Sequence, residues 1–264
     1  MPSKRALIGH TGFVGSQLKR DGAFTHLFNS SNFQDMAGEE FDEVVCAGVS
    51  AIKWLANKEP EKDWRDIAVL LDTLTTVTSK RFTLVSTIDV YPDPCLAVCE
   101  SHVPASEDGQ PYGRHRLEVE QFVRMHFNDV LVVRLPALFG KGLKKNVIYD
   151  LLTNNQTDRI VPNAVFQWYP LARLTADLEV AREAGLTLVN LFPEPISNER
   201  IVGELFPGAV IGPAAYPAPR YDLTTQHSAL FGATAPYRLS ANEVMAELYE
   251  FVTMARRDPE TMLA

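Results

Sequence analysis

The 264-residue chain is poor in cysteine, in positive charge and in long apolar runs, and each shortage excludes a class of protein. Its 3 cysteines are an odd number, and Cys95 and Cys99 lack the further ligands that a zinc site needs. We therefore expect reduced thiols, with Cys46 in the core. The net charge of -8 argues against nucleic acid as the main partner.

The distribution of apolar residues indicates neither a membrane segment nor a targeting segment. No apolar run reaches the roughly 18 residues that a membrane helix requires. The first residues lack the apolar core of a secretory signal. We expect a cytoplasmic protein without a membrane partner, whose length and 46% hydrophobic content are enough for one large domain or one and a half.

A glycine-rich turn follows the first apolar run. Arg5–Ile8 is short and ends at glycine, which predicts a buried parallel strand, and a helix is expected to continue from Ser16. Glycines at every third position from 9 to 15 permit a tight turn and let a phosphate approach the backbone. The pyrophosphate of a dinucleotide would rest on the helix N-terminus. The predicted cofactor-binding residues of this turn are Gly9, Thr11, Gly12, Phe13, Val14 and Gly15.

Further apolar runs predict a doubly wound parallel α/β sheet with helices on both faces and a small, mostly helical part interleaved with it. The predicted strands are residues 26–29, 41–48, 81–87, 129–136 and 187–192, and the predicted helices are residues 64–79, 111 onward, 171–184, 196–206 and 240 onward. The gap between residues 32 and 41 is too short for a strand–helix–strand unit, so this end of the sheet is expected to be trimmed. Residues 1–136, completed by 171–192, are the predicted dinucleotide-binding domain, and residues 137–264 the substrate-binding part. The loop 92–111, with Glu100, Glu107 and Asp108, is predicted to shape a cleft rim.

Tyr112 and Arg116 form a candidate acid/base pair. Residues four apart share one helical face, and Val119 and Val123 continue the same stripe, so the tyrosine should face inward. A phenol can exchange protons near neutral pH only if a neighbouring cation lowers its pKa. Arginine four residues on could supply that charge.

Three motifs together resemble the extended and atypical short-chain dehydrogenase/reductases, the NAD-dependent epimerase/dehydratase family, which has a Rossmann fold. They are the G-x-x-G-x-x-G turn, the S-T-x-x-V-Y run from Ser86 to Tyr91, and Y-x-x-x-R at Tyr112, where the family has Y-x-x-x-K. The 25 positions from Thr87 to Tyr112 match the family's separation of its two catalytic hydroxyls. Pro92 stands where the family has glycine.

The resemblance implies roles for individual residues. Tyr112 would transfer the proton, Thr87 would polarise the substrate oxygen, and Arg116 would stabilise the tyrosinate and hold the nicotinamide ribose. Arginine stays charged and cannot give up its own proton to a relay. The other implied cofactor contacts are Asn29, Ser30, Ser31, Ala47, Gly48, Ser86, Pro136 and Leu138. The implied substrate contacts are Asp89, Tyr91, Lys144, Asn146 and Trp168.

Several of these residues have a structural alternative. Ser86 and Thr87 can serve only the backbone groups at a strand end. Lys144 can belong to a solvated helix start, and Trp168 can be packed in the core.

The cofactor is expected to be NADP or NAD. The second strand ends at Asn29 without the acid that would bind the ribose hydroxyls of NAD, which favours NADP, although no arginine stands nearby. The implied function is an NAD(P)-dependent oxidoreductase, epimerase or dehydratase acting on a hydroxyl or keto carbon of a polar substrate, and nucleotide sugars are the family's commonest. Family dimers often pair through the helix that bears the tyrosine, so a homodimer is expected.

Two other functions remain open. The arginine and the missing acid also fit a cofactor-binding regulator or scaffold without catalysis. A non-redox enzyme that reuses the cleft without nicotinamide is the third hypothesis.

Overall fold

A computed structural model describes residues 3–105, 108–234 and 236–263 of the chain, so the predicted rim residue Glu107 lies outside the described residues. The chain forms two compact units. The first comprises Met1–Asp93, His102–Leu135 and Thr175–Val189, and the second comprises Pro94–Ser101, Pro136–Leu174 and Asn190–Ala264. The two functional domain labels stay predictions.

The elements alternate along the chain. In chain order the strands are β1 (Arg5–Ile8), β2 (His26–Phe28), β3 (Glu40–Cys46), β4 (Thr78–Thr87), β5 (Val130–Leu135), β6 (Ala137–Phe139), β7 (Val165–Phe166), β8 (Trp168–Pro170), β9 (Leu188–Asn190) and β10 (Ile196–Ser197). The helices are α1 (Phe13–Asp21), α2 (Lys53–Lys58), α3 (Pro60–Leu74), α4 (Pro111–His126), α5 (Val147–Thr153), α6 (Leu174–Glu183), α7 (Asn198–Leu205), α8 (Ala241–Arg257) and α9 (Pro259–Met262).

Six strands form the sheet in the order β2-β1-β3-β4-β5-β9. The pairs β1–β2, β1–β3, β3–β4 and β4–β5 are all parallel. This mostly parallel sheet with flanking helices confirms the predicted fold class. Only a short 3-10 turn, Phe33–Met36, separates β2 from β3, so the sheet is trimmed at this end as expected. Because the strands are parallel, their carboxyl ends meet at one edge, where ligands bind in such sheets.

The core of the first unit lies between this sheet and α3 and α4. All six residues of β5 are buried, as a strand covered on both faces requires. The apolar stripes of α3 and α4 cover the sheet with Ile67, Leu74, Val119 and Val123.

The predicted helix over residues 64–79 was wrong at both ends. α3 begins at Pro60, where proline suits a first helical position, and ends at Leu74. The next residues are Thr75, Thr76, Val77 and Thr78, whose β-branched side chains disfavour a helix. Thr78 instead pairs with Glu40 of β3, so β4 begins three residues before the predicted strand.

In the second unit, β6 pairs with β8 and β10 pairs with β7. The predicted capping box at the start of α8 is confirmed, with reciprocal bonds between Ser240 and Glu243. The prediction that Glu100 belongs to a cleft rim was wrong. Its buried carboxylate accepts hydrogen bonds from Asn190 N at 2.7 Å and Thr225 Oγ1 at 2.6 Å, so it joins segments that are far apart in sequence.

Within the part of the chain that the structure describes, no helix combines the length and the apolarity that crossing a bilayer would require.

Candidate active site

The glycine turn is built to accept an anion. Gly12 N donates to Gly9 O at 2.9 Å, and a Cβ on Gly15 would lie 2.0 Å from the same oxygen, so no larger residue fits at position 15. α1 starts at Phe13, earlier than Ser16, and no described side chain caps it. Its first turn carries no acidic residue. The open N–H groups and the positive end of the helix dipole therefore suit a pyrophosphate.

The neighbouring strand ends are polar but uncharged. Ala47 N donates to Ile8 O at 2.9 Å, which places Ala47 beside the glycine turn. After β2, Asn29 Oδ1 accepts from the N and Oγ of Ser31, at 2.8 and 2.6 Å. His10 Nε2 lies 3.4 Å from Asn29 Nδ2. His10 was missed by the sequence analysis, although its position inside the glycine turn was a usable signal.

Tyr112 lies in the first turn of α4 and is only 7% exposed. Its N–H donates to Asn57 Oδ1 at 2.9 Å. Thr87 is among the neighbours that lower the pKa of the phenol, so the two predicted catalytic hydroxyls lie in the same site at the carboxyl end of β4.

The pKa of Tyr112 is raised above its ordinary value of 10.0. Burial is the largest cause, and Asp89 adds to it, while Arg116, Thr87 and Lys53 lower the pKa. Arg116 thus lowers the pKa in the expected direction, but desolvation outweighs its charge.

Arg116 is 4% exposed and held by protein groups. Its Nη1 and Nη2 atoms bind Asp63 Oδ2 and Oδ1, at 2.5 and 2.9 Å. Nη1 also donates to Tyr112 O at 3.2 Å, and Nη2 donates to Ser50 O. Among the described residues the Nε–H has no partner. The predicted ribose contact stays a prediction, and only this buried N–H remains for it.

The guanidinium also lies against the phenol ring. Its central carbon, Cζ, is 4.1 Å from the centroid of the Tyr112 ring, within the range of a cation–π contact. Asp63 therefore fixes Arg116, and Arg116 fixes the ring of Tyr112.

Asp63 also accepts from His115 Nδ1 at 2.8 Å, so three nitrogens share one buried carboxylate. Burial by itself raises the pKa of Asp63, but the hydrogen bonds and charges of Arg116 and His115 outweigh it and hold the pKa below its ordinary value of 3.8. A carboxyl pKa that is depressed by folding stabilises the protein above the unfolded pKa and loses that effect as the pH falls through the folded pKa.

We therefore predict that Asp63→Asn lowers the free energy of unfolding at neutral pH and that its deficit shrinks as the pH falls below 3.8. Urea unfolding of both proteins across this range measures the difference. A deficit that stays constant with pH would contradict the assignment, because an uncharged packing defect does not titrate. Asp66→Asn, at an exposed ion pair on the same helix, is the control.

Thr87, Asp89 and Lys53 form a connected group beside Tyr112. Thr87 Oγ1 accepts from Asp89 N at 3.2 Å and lies 3.5 Å from Asp89 Oδ2, the upper limit of a hydrogen bond. Asp89 Oδ1 is 2.6 Å from Lys53 Nζ. Lys53 belongs to the short α2, which the sequence analysis did not predict, and no motif marks it.

Ser86 and Tyr91 point into a separate buried network. Ser86 Oγ donates to Glu120 Oε1 at 2.5 Å, and Arg134 Nη1 donates to the Tyr91 hydroxyl at 2.7 Å. Arg134 also pairs with Glu120 through two bonds, at 3.0 and 2.6 Å. Both side chains are therefore occupied, which speaks for the structural alternative at Ser86 and against a substrate contact by the Tyr91 phenol.

Five predicted site residues belong to the second unit. Asn146 caps α5 by accepting from Ile148 N and Tyr149 N, and its Nδ2 donates to Leu138 O at 2.9 Å. Its amide therefore has a structural use. Lys144 is exposed, whereas Trp168 is 2% exposed in β8, as the packing alternative requires. Pro136 is buried and Leu138 half-buried.

Gly113 brings α4 against the segment that carries Asp89. A Cβ at this position would lie 1.9 Å from Asp89 O. We predict that Gly113→Ala lowers the free energy of unfolding by about 1–3 kcal/mol, because backbone must move to admit the methyl group.

The matched control for Gly113→Ala is Gly203→Ala in α7, where a Cβ meets nothing within 4 Å. It should stabilise the protein by about 0.5–1 kcal/mol, because alanine favours a helix over glycine. Urea unfolding of the two variants should give changes of opposite sign, and equal changes would contradict the close approach at Gly113.

No protein-family model matches the chain, and no curated protein matches it. Solved structures do share its fold. UDP-glucose 4-epimerase with UDP-glucose from Thermotoga maritima superposes with a TM-score of 0.70 at 14% identity, over 97% of this chain and 100% of that one.

Two further structures are similar to the same degree. dTDP-4-dehydrorhamnose reductase in complex with NADP, from Bacillus anthracis, has a TM-score of 0.70 at 17% identity, over 96% of this chain and 99% of that one. MoeE5 with UDP-glucuronic acid and NAD has a TM-score of 0.72 at 15% identity, with the same coverage. At these identities the likeness establishes the fold of the chain, not its activity.

Proposed function

We propose that the protein is an NAD(P)-dependent enzyme of the short-chain dehydrogenase/reductase type, acting as an oxidoreductase, epimerase or dehydratase on a hydroxyl or keto carbon. The observation that carries the proposal is the proximity of buried Tyr112 to Thr87 and Arg116 at the carboxyl edge of the sheet that also bears the uncapped glycine turn. A polar substrate of the nucleotide-sugar type is consistent with the UDP-sugar ligands of similar folds.

The cofactor is proposed to be NADP or NAD, and similar folds were solved with each. Backbone amides of the turn from Gly9 to Gly15 would hold its pyrophosphate. The absence of a carboxylate from the Asn29–Ser31 turn removes repulsion of a 2′-phosphate and favours NADP. The bound cofactor would exchange a hydride with the reacting carbon of the substrate.

The protein's own residues supply proton transfer and orientation. Tyr112 Oη moves the proton to or from the substrate oxygen, and Thr87 Oγ1 donates a hydrogen bond to that oxygen. Arg116 holds the phenol ring and favours the tyrosinate by its charge. Asp63 positions Arg116.

The test begins with cofactor binding. Isothermal titration of NADPH and NADH into the folded protein should show binding, which Gly15→Ala should abolish because its methyl group displaces the turn. Gly203→Ala should bind as the wild type does. Failure of both cofactors to bind the wild type would overturn the proposal and favour the non-redox enzyme.

A turnover assay distinguishes the enzyme from the second candidate function, a cofactor-binding regulator or scaffold. The raised pKa of Tyr112 and the engaged donors of Arg116 favour that second candidate. Only the enzyme changes the nicotinamide absorbance, or interconverts sugars, when UDP- and dTDP-linked sugars are added with cofactor. Binding without either change across such a panel would favour the regulator.

A further inference from the structure

We propose that Lys53, acting through Asp89 and Thr87, supplies the proton that Tyr112 gives up in the reaction. This inference rests on the proposed function, since a proton supply to Tyr112 has a use only if Tyr112 is the acid/base. A lysine of α2, outside the Y-x-x-x-R motif, would then supply a proton that the arginine of the motif cannot release.

Arg116 cannot return a proton to Tyr112. A guanidinium keeps its proton at any ordinary pH, so it can stabilise a tyrosinate but cannot recharge it. Its Nη donors are also taken by Asp63, Ser50 and Tyr112 O. Tyr112 is 7% exposed, so its proton supply has to pass through other side chains or the substrate side of the site.

A series of polar side chains leads from Tyr112 to the surface. Thr87 is a side-chain neighbour of the Tyr112 phenol, and Thr87 Oγ1 lies 3.5 Å from Asp89 Oδ2. Asp89 Oδ1 pairs with Lys53 Nζ at 2.6 Å. Exposure rises along this series, from the buried phenol to a Lys53 side chain that is 44% exposed.

Backbone contacts hold this series of polar side chains in place. Asp89 N donates to Thr87 Oγ1 at 3.2 Å, which occupies a lone pair and leaves the hydroxyl proton of Thr87 for its other neighbours. Gly113 lets α4 lie against Asp89 O, because any Cβ there would be 1.9 Å away. Asn57 of α2 accepts from Tyr112 N at 2.9 Å, so the helix that carries Lys53 is tied to the helix that carries Tyr112.

The proton balance of the step is closed. After Tyr112 has protonated the substrate oxygen, Thr87 Oγ1 gives its proton to the tyrosinate and takes one from Asp89. Asp89 receives that proton from Lys53 Nζ at Oδ1 and releases it from the same oxygen after rotation about χ2. Lys53 is left as a neutral amine and takes a proton from water, and the oxidation direction runs the same transfers in reverse.

The charged groups that act on Tyr112 come from three elements. Arg116 of α4 and Lys53 of α2 favour its charged form, and Asp89, which follows β4, opposes it. Asp63 of α3 neutralises Arg116 through its contact with both Nη atoms. Lys53 is therefore the titratable cation of this group, since Arg116 does not release its proton.

The experiment measures hydrogen exchange of the Tyr112 hydroxyl in the cofactor-free full-length protein. Tyrosine labelled with 13C at Cζ gives one resonance for each of the 8 tyrosines, and Tyr112→Phe identifies the one that matters. In mixed H2O and D2O this resonance reports how fast the hydroxyl exchanges with solvent. Amide exchange along α4, recorded on the same samples, reports local opening.

Three variants separate a relay from a charge effect. Lys53→Met removes the charge and the proton, and Lys53→Arg keeps the charge and the ion pair with Asp89 but holds its proton. Lys58→Met, at an exposed position in the last turn of the same helix, is the matched control. We expect both Lys53 variants to slow exchange of the Tyr112 hydroxyl by about ten-fold or more, with Lys58→Met at the wild-type rate and α4 amides unchanged.

Two results would overturn the proposal: a wild-type exchange rate in Lys53→Met, or slowing in Lys53→Met but not in Lys53→Arg, which would reduce Lys53 to a fixed charge. Slow exchange in Lys53→Arg with intact α4 amides supports it even if Lys53→Met disturbs the fold. This readout needs no substrate. Loss of all turnover with the expected exchange pattern would refute the proposed function alone, and turnover with unaffected exchange would refute the relay alone.

Discussion

Replacing Tyr112 with phenylalanine should lower kcat by about 10²–10⁴-fold, the usual contribution of a positioned general acid or base. The change removes only the hydroxyl, so the ring remains beside Arg116, whose Cζ lies 4.1 Å from the ring centroid. The glycine turn is untouched, and titration calorimetry should give the wild-type cofactor affinity. The measurement is kcat with an active UDP- or dTDP-linked sugar at saturating cofactor.

Tyr249→Phe is the matched control for this loss. Tyr249 lies in α8 of the second unit, is 63% exposed and should change neither kcat nor cofactor affinity. Full turnover by Tyr112→Phe would remove the assignment of the acid/base. A loss of cofactor affinity equal to the loss of kcat would place the phenol in binding instead of proton transfer.

Glu120→Gln should lower the free energy of unfolding by about 3–5 kcal/mol, the largest effect on stability that we expect. Glu120 is 1% exposed and pairs through both oxygens with Arg134, which is 3% exposed. An amide cannot neutralise the guanidinium, so the variant leaves a buried charge without a counter-charge. It also disturbs the Ser86 hydroxyl, which donates to Glu120.

The midpoint of urea unfolding measures this change, with Glu118→Gln as the control. Glu118 lies two residues earlier in α4 and is half-buried, and its variant should stay within about 0.5 kcal/mol of the wild type. A loss below about 1 kcal/mol for Glu120→Gln would mean that solvent or another group compensates Arg134.

The strand–turn–helix start of the chain could be predicted from the sequence, although α1 begins at Phe13 and not at Ser16. Arg5–Ile8 forms β1 as expected, because a short apolar run that ends at glycine has few other uses in a buried sheet. The separation of Thr87 and Tyr112 also led to two side chains that are neighbours in the structure. Such patterns can be interpreted from the sequence without knowledge of the fold.

Side-chain partners could not be predicted in the same way. Arg116 finds its counter-ion 53 positions away, and Lys53 finds Asp89 36 positions away, and neither spacing follows from any helical or strand period. The substrate contact assigned to Tyr91 did not take its burial into account, and for Trp168 the sequence left packing and substrate contact open, because burial depends on what packs over a side chain. Tertiary packing decides these partners, because α4 contacts α2 and α3 in the folded chain although other segments separate it from them in the sequence.

The amino-acid sequence by itself determined the fold class, the anion-accepting turn and the Tyr112–Arg116 spacing, because short-range periodicity and glycine sterics act within a few residues. Only the tertiary structure decided what Arg116 does there. Asp63 binds the guanidinium and aligns it with the phenol ring, and burial raises the pKa of Tyr112 despite that charge. The balance between desolvation and charge depends on every group packed around the phenol, and packing is a property of the folded chain.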